Sequence, residues 1–408
     1  MELIELALRR SGAPSLAEFQ RREGLVPTGE ADALTWAALL PWLLGYRDYR
    51  VQPGDTYSRL AARFGTTVRA IITANPNQDP LALTVGQKLT VPLGFPVVPT
   101  NLPFTWELLR LCLRGLAARF PFLTIRDFGE TYYGRKIPQI AVGLGRRRVL
   151  YNAAHHANEW ITTPLVMRFL EEYARAITEN GRIFGYPAQS LYQRTTLHLI
   201  PMVNPDGVDL VTGGVREGSP AWENALRLSE NYPEIPFPSG WKANLRGVDL
   251  NLNYPAGWEQ ARTNKFAQGY TRPGPRDYVG ASPLDQPETA AMAELTRRLE
   301  PELTISWHTQ GNVIYWKYGN LEPAGARELG EDFASVSGYA LEDVPFASGF
   351  AGYKDWFILT WDRPGYTVEV GSGENPLPLQ QLADIYDRSL GILTLGLAGG
   401  RVLPLRDN

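Results

Sequence analysis

Between residues 104 and 400, short apolar runs alternate with longer amphipathic ones, and this alternation limits the fold more than any other feature of the chain. The strand-like runs are Gln139–Val142, Val149–Asn152, Leu197–Val203, Leu303–Trp307 and Tyr366–Val370. Helical spacing marks Trp106–Arg119, Thr163–Glu179, Pro287–Arg298, Ala324–Ser337 and Pro378–Ala398. A strand that is apolar on both faces must be covered on both faces, so the pattern predicts an α/β sheet sandwiched by helices. In such folds the functional groups gather on loops beyond strand ends.

Upstream lie smaller blocks. Residues 1–46 carry apolar residues at helical spacing (Leu3, Leu6, Leu8, then Leu16 and Phe19), with two short helix signals separated by Gly24 and Gly29. Residues 48–93 form a second block. Residues 94–103 are rich in Pro and Val, which predicts a semi-rigid spacer. The third block, 104–400, is the largest.

The 408 residues suffice for two or three domains, and 44% apolar with 20% charged residues is the profile of a folded globular protein. A net charge of −3 provides no basic field for nucleic-acid phosphates. The single cysteine, Cys112, excludes an intramolecular disulfide and a Cys-rich zinc site. Glu2 and Glu5 interrupt the first apolar run, so neither a signal peptide nor a membrane-inserted segment is expected.

In the second block, Val51 leads into a Pro53-Gly54-Asp55 turn, and Asp55 or Thr56 can cap a helix through Leu60, Ala61 and Phe64. A second helix runs from near Thr67 to Asn75-Pro76, and a strand at Lys88–Val91 closes the unit. The opening Val51-Gln52-Pro53-Gly54-Asp55-Thr56, the central Asn75-Pro76-Asn77 and the closing Gly86-Gln87-Lys88-Leu89 resemble a LysM module. That resemblance implies a βααβ domain that binds N-acetylglucosamine-containing glycans. The first block, with Phe19-Gln20, Gly24-Leu25, Gly29 and Thr35-Trp36-Ala37-Ala38-Leu39, resembles the helical peptidoglycan-binding domain of wall hydrolases, in a short form.

His156-Ala157-Asn158-Glu159 sets an imidazole and a carboxylate three residues apart, on one face if the segment is a helical turn. A hydrolytic zinc site takes three N and O ligands and keeps one position open. Of the four histidines, His308 follows a strand-like run and could supply the third. The others read differently. His198 sits among apolar residues as a core histidine, and His155 is one residue off the shared face.

The ordered set His156-x-x-Glu159, Asn204-Pro205-Asp206-Gly207, Gly247–Asn253, the strand ending at His308, and Thr367-Val368-Glu369-Val370 resembles the M14 metallocarboxypeptidase family across 104–400. It is most similar to the branch of γ-D-glutamyl diamino-acid peptidases that cut peptidoglycan stem peptides. The resemblance implies a carboxypeptidase-like mixed sheet flanked by helices on both faces and one zinc ion per chain. It implies His156, Glu159 and His308 as ligands, Glu369 as general base and Asn251 as a substrate-orienting group. A general base takes a proton from the attacking water and passes it to the leaving amine. For the cation that stabilises the developing oxyanion, Lys242 is the candidate and Arg246 the fallback. Asp249 either orients a ligand histidine or stabilises a turn.

Two positions depart from the exopeptidases of this family. Asn158 and Leu252 stand where those enzymes carry arginines that grip a terminal carboxylate. Lys354, in a segment resembling the specificity loop, would instead meet a carboxylate of the stem peptide's diamino acid. Pro345-Phe346 occupies the place of the family's tyrosine. The expected partners are peptidoglycan glycan chains and stem peptides, at the bacterial cell wall or envelope. Lacking a visible signal peptide, the chain leaves a cytoplasmic location open. The competing expectations are a broad metallocarboxypeptidase acting on free peptides and a non-catalytic wall-binding protein.

Overall fold

The computed structural model describes residues 2–400, which form two compact units. The first comprises the chain up to Leu102, with Glu107–Thr124 and Glu171–Gly181. Three helices, Glu2–Ser11, Leu16–Arg22 and Ala33–Leu44, begin it, one more than the sequence signals suggested. Ser15 and Asp32 cap the second and third through side-chain oxygens. Buried Gln20 ties the bend between them, donating to the Glu30 carbonyl and Thr35 Oγ1 and accepting from the Gly29 amide.

Strands β1 (Tyr46–Arg50) and β2 (Lys88–Pro92) pair antiparallel around the helices Tyr57–Phe64 and Val68–Ala74, giving the expected βααβ order. Thr56 is the helix cap, while Asp55 fixes the preceding turn by accepting from the Gln52 amide and Tyr49 hydroxyl, both at 2.7 Å. Asn75 bonds to Thr90 through both its amide nitrogen (2.8 Å) and its oxygen (2.9 Å), joining the second helix to β2.

The Pro- and Val-rich segment does not behave as a spacer. Val97 and Val98 are buried, and both their amides donate to the Glu171 carboxylate at 2.7 and 2.8 Å. Arg10 donates to the Pro96 and Val97 carbonyls, and Arg119 to that of Phe95. The two valines drive this outcome, because a stretch that buries apolar side chains must also satisfy its backbone.

The second unit is built on an eight-stranded sheet. Its strands are β3 (Thr124–Glu130), β4 (Lys136–Val142), β5 (Arg147–Ala153), β8 (Thr195–Ile200), β9 (Leu303–His308), β10 (Val313–Tyr315), β11 (Ala340–Glu342) and β12 (Gly365–Glu369). A separate two-residue ladder joins β6 (Arg182–Ile183) to β7 (Tyr186–Pro187). The spatial order is β11-β10-β12-β9-β5-β8-β4-β3. The central strands β12, β9, β5 and β8 run parallel, while β10 and β4 pair antiparallel with β12 and β8, so the sheet is mixed.

Tyr151, Ile305 and Tyr366 lie in one row across β5, β9 and β12 and share a face. Tyr151 donates to the Leu393 carbonyl of helix Leu382–Ala398, and Tyr366 to that of Ala326 in helix Ala326–Ser337. The opposite face, marked by Leu150, packs with Met292, Ala293 and Leu295 of helix Pro287–Leu299 and with Tyr353 and Trp356 of helix Tyr353–Trp361. Helices thus cover both faces, as expected. No helix among the described residues is long and apolar enough to cross a membrane.

Candidate active site

Parallel strands end on the same edge of a sheet, and three of these endings carry the candidate residues. His308 is the last residue of β9, Glu369 the last of β12, and His155-His156 follow the end of β5. In register, Glu369 lies opposite His308. Residues 157–159 form a single helical turn of 3₁₀ type, and His156 precedes it in extended backbone. Positions i and i+3 eclipse in a 3₁₀ turn, so the two side chains still converge.

His156 Nδ1 lies 2.8 Å from Glu159 Oε1, and His308 Nδ1 lies 2.8 Å from Glu159 Oε2. The two Nδ1 atoms are 3.1 Å apart. Two ring nitrogens at that separation cannot both point a proton at each other, and the carboxylate beside them adds negative charge. This donor set fits a divalent cation. It is the one group of three or more His, Cys, Asp or Glu side chains among the described residues with ligand atoms close enough to hold a metal. All three are buried. Burial opposes the Glu159 charge, but His156 and His308 outweigh it and hold its carboxyl well below the usual range.

Asp249 makes contacts of both kinds considered for it. Its Oδ1 contacts His156 Nε2 at 3.1 Å and accepts from the Asn251 amide at 3.1 Å, capping the turn Leu250–Leu252. Its Oδ2 is 3.6 Å from Lys242 Nζ. Burial pulls the Lys242 ammonium down, yet Asp249 and Asp277 overcome this and raise its pKa. Glu369 is pushed up to about 8, first by burial and then by the negative charge of Glu159. A cation between the histidines would oppose that shift.

These groups line a cleft of about 800 Å³ containing His156, Glu159, Lys242, Asn251, Lys354 and Glu369. Asn251 is fixed by accepting from the Tyr353 amide at 3.0 Å. Arg246 does not join them. Its backbone amide bonds to Asn244 Oδ1 in the Asn244–Gly247 turn, and its exposed guanidinium stacks 4.9 Å over the Tyr132 ring. Lys354 is buried and donates to Asp355 Oδ1 (2.5 Å) and the Lys317 carbonyl (2.6 Å), so its charge is balanced by the protein. His155 is buried against Tyr254, 3.0 Å from its hydroxyl. His198 is buried, with one ring nitrogen on Gln139 and the other without a partner among the described residues.

Several cleft residues escaped the sequence reading. Tyr315 of β10 lines the cleft, as does Pro345. Lys265, Arg276 and Asp277 line it too, with Asp277 Oδ1 on Lys265 Nζ at 2.6 Å and Oδ2 on Arg276 Nε at 2.5 Å. Adjacent Arg276-Asp277 in an irregular loop give no periodic signal. Of the two positions where the exopeptidases were expected to carry arginine, Asn158 is buried on the cleft, its Oδ1 without a partner among the described residues. Leu252 packs with Trp258, Ala261, Val279 and Ala351.

Residues 49–92 match the LysM domain model, and residues 110–383 match the family model described as zinc carboxypeptidase, Peptidase M14. A Lysinibacillus sphaericus protein named gamma-D-glutamyl-L-diamino acid endopeptidase 1 is 43% identical over 402 residues, covering 86% of this chain and 99% of its own. An uncharacterized Bacillus subtilis protein is 40% identical over 276 residues, 67% of this chain and 72% of its own. Bovine thrombin-activatable fibrinolysis inhibitor, solved with a tick carboxypeptidase inhibitor, shares the fold at a TM-score of 0.56 and 17% identity, over 74% of this chain and 98% of its own. Its family model spans most of the sheet unit, and the Lysinibacillus relative is matched along nearly its whole length: the chain belongs to the M14 zinc carboxypeptidase family.

Proposed function

We propose that this protein is a zinc-dependent peptidoglycan hydrolase that cleaves the bond between γ-D-glutamate and the diamino acid of stem peptides. The observation that carries the hydrolytic part is the convergence of His156, Glu159 and His308 at strand ends, with Glu369 opposite His308 in one open cleft. The substrate class rests on the name of the 43% identical relative, the LysM match, and the uncharged Asn158 and Leu252. Without arginines there, the forked grip on a C-terminal carboxylate is lost, which disfavours broad carboxypeptidase action on free peptides.

In this reading His156, Glu159 and His308 would hold one zinc ion, which would supply Lewis-acid polarisation. Asp249 holds the His156 ring in orientation. Glu369 takes a proton from the water as it attacks and returns it to the departing amine. Lys242, kept protonated by Asp249 and Asp277, stabilises the carbonyl oxygen as negative charge develops. Asn251 orients the substrate, and Lys354 with Asp355 forms the polar floor of the diamino-acid pocket. Residues 2–93 dock the enzyme on wall glycans.

The test is digestion of purified stem peptides followed by mass spectrometry. The expected product is a peptide beginning with the diamino acid, and Glu369→Gln should lower its rate of formation by about 10²–10⁴-fold while retaining bound zinc. Full activity of Glu369→Gln would remove the general-base assignment, and products trimmed only at the C-terminus would favour the carboxypeptidase reading.

A further inference from the structure

We propose that Arg276 reads a substrate carboxylate beside the scissile bond, the α-carboxylate that a γ-glutamyl linkage leaves free on the acyl side. This rests on the function proposed above. A γ-linked glutamyl residue uses its side-chain carboxyl in the amide, so its α-carboxyl stays ionised a few atoms from the carbonyl under attack. An anion brought into a cleft needs a cation with a matching fork, and Asn158 and Leu252 offer no charge.

Four basic residues line the cleft, and the structure distinguishes them. Lys354 is bound to Asp355 and the Lys317 carbonyl. Buried Lys265 is bound to Asp277. Lys242 faces Asp249. Arg276 uses only Nε, at 2.5 Å from Asp277 Oδ2, and its two terminal nitrogens have no protein acceptor among the described residues. Its side chain is 41% exposed. Asp277 accepts from both Lys265 and Arg276, so this trio carries one positive charge in excess.

The ion pair also restrains the arginine. A guanidinium held at Nε presents its outer edge with fewer conformations to lose on binding. The loop backbone is pinned as well. The Pro275 carbonyl accepts from the Lys242 and Ala243 amides, and the Tyr278 carbonyl from the Asp249 amide, each at 2.8 Å. Arg276 is therefore anchored beside the Lys242 segment, which serves the scissile carbonyl. The Lys354–Asp355 pair lies in the first turn of helix Tyr353–Trp361 and serves the leaving group. Asp277 is the positioning residue of this arrangement.

The experiment compares wild type, Arg276→Gln and Arg276→Lys on three γ-D-glutamyl peptides. One has the free α-carboxylate, one has an α-carboxamide there, and one has the diamino acid's carboxyl amidated instead. Wild type should prefer the α-carboxylate over the α-carboxamide by about tenfold to a hundredfold in kcat/KM, the scale of a charge-assisted hydrogen-bonded pair. Arg276→Gln should erase that preference by raising KM for the carboxylate peptide alone, and Arg276→Lys should restore part of it. Equal slowing on all three peptides would overturn the inference, as would lost discrimination only against the amidated diamino acid. Wild type cutting carboxylate and carboxamide at equal rates sinks the inference alone. Wild type leaving every γ-D-glutamyl bond intact sinks the proposed function with it.

Discussion

At the scale of single residues, the metal-site candidates were legible because their types are scarce. Four histidines and a single His-x-x-Glu pair left few combinations, the resemblance to the M14 family chose among them, and the structure brings His156, Glu159 and His308 together. The ion network under the cleft was not legible, because Lys265, Arg276 and Asp277 meet only through the folding of an irregular loop. Nor was Glu288, which is fully buried at the start of helix Pro287–Leu299 with its Oε2 accepting from Asn244 at 3.2 Å. Burial raises its pKa from 4.5 to about 7. The folded state then binds the proton more tightly than the unfolded chain across that window. The carboxyl therefore costs stability above pH 7, and the cost fades as pH falls towards 4.5. Glu288→Gln is expected to be more stable than wild type at pH 8 by on the order of 3 kcal/mol, at about 1.4 kcal/mol per pKa unit, and nearly equal at pH 4.5. Urea unfolding at both pH values checks this; an advantage independent of pH would contradict it.

Among elements, the long helices and the central strands were readable from periodicity, since a buried parallel strand is apolar throughout. Strands β3, β10 and β11 were not, being short or partly exposed and lying in the outer part of the sheet. Pairing with neighbours defines them more than their composition does. Helix Leu382–Ala398 shows a constraint of the opposite kind. It lies so close to the sheet that a Cβ on Gly396 would overlap the Tyr151 hydroxyl and press on Ile305. Helix propensity alone would make Gly396→Ala stabilising by about 1 kcal/mol. Here overpacking should win, for a net loss of about 1–2 kcal/mol. Thermal melts should show a lower Tm, with partial recovery in Gly396→Ala/Tyr151→Phe; an unchanged or higher Tm would mean that the helix shifts freely.

For the whole molecule, the order of modules was clear from motifs, but the role of residues 94–103 was not. Proline content suggested a spacer, whereas Val97, Val98 and the Glu171 carboxylate make the segment part of a packed unit. Coupling a glycan-binding module to a hydrolase raises the effective concentration of polymeric substrate. Excess N-acetylglucosamine oligomer should therefore slow digestion of sacculi by roughly tenfold or more and leave cleavage of sugar-free stem peptides unchanged. Equal inhibition of both substrates would locate the oligomer's effect in the cleft instead. Leu252, finally, limits which side chains that part of the cleft wall can accept. Its side chain is buried against Trp258, Ala261, Val279 and Ala351 at the wall of the cleft, so the position is held by apolar packing. Leu252→Arg would bury an unpaired charge before any benefit in binding could be felt. Packing and charge therefore exclude each other at this position, and a carboxylate grip built there would first have to open the apolar cluster.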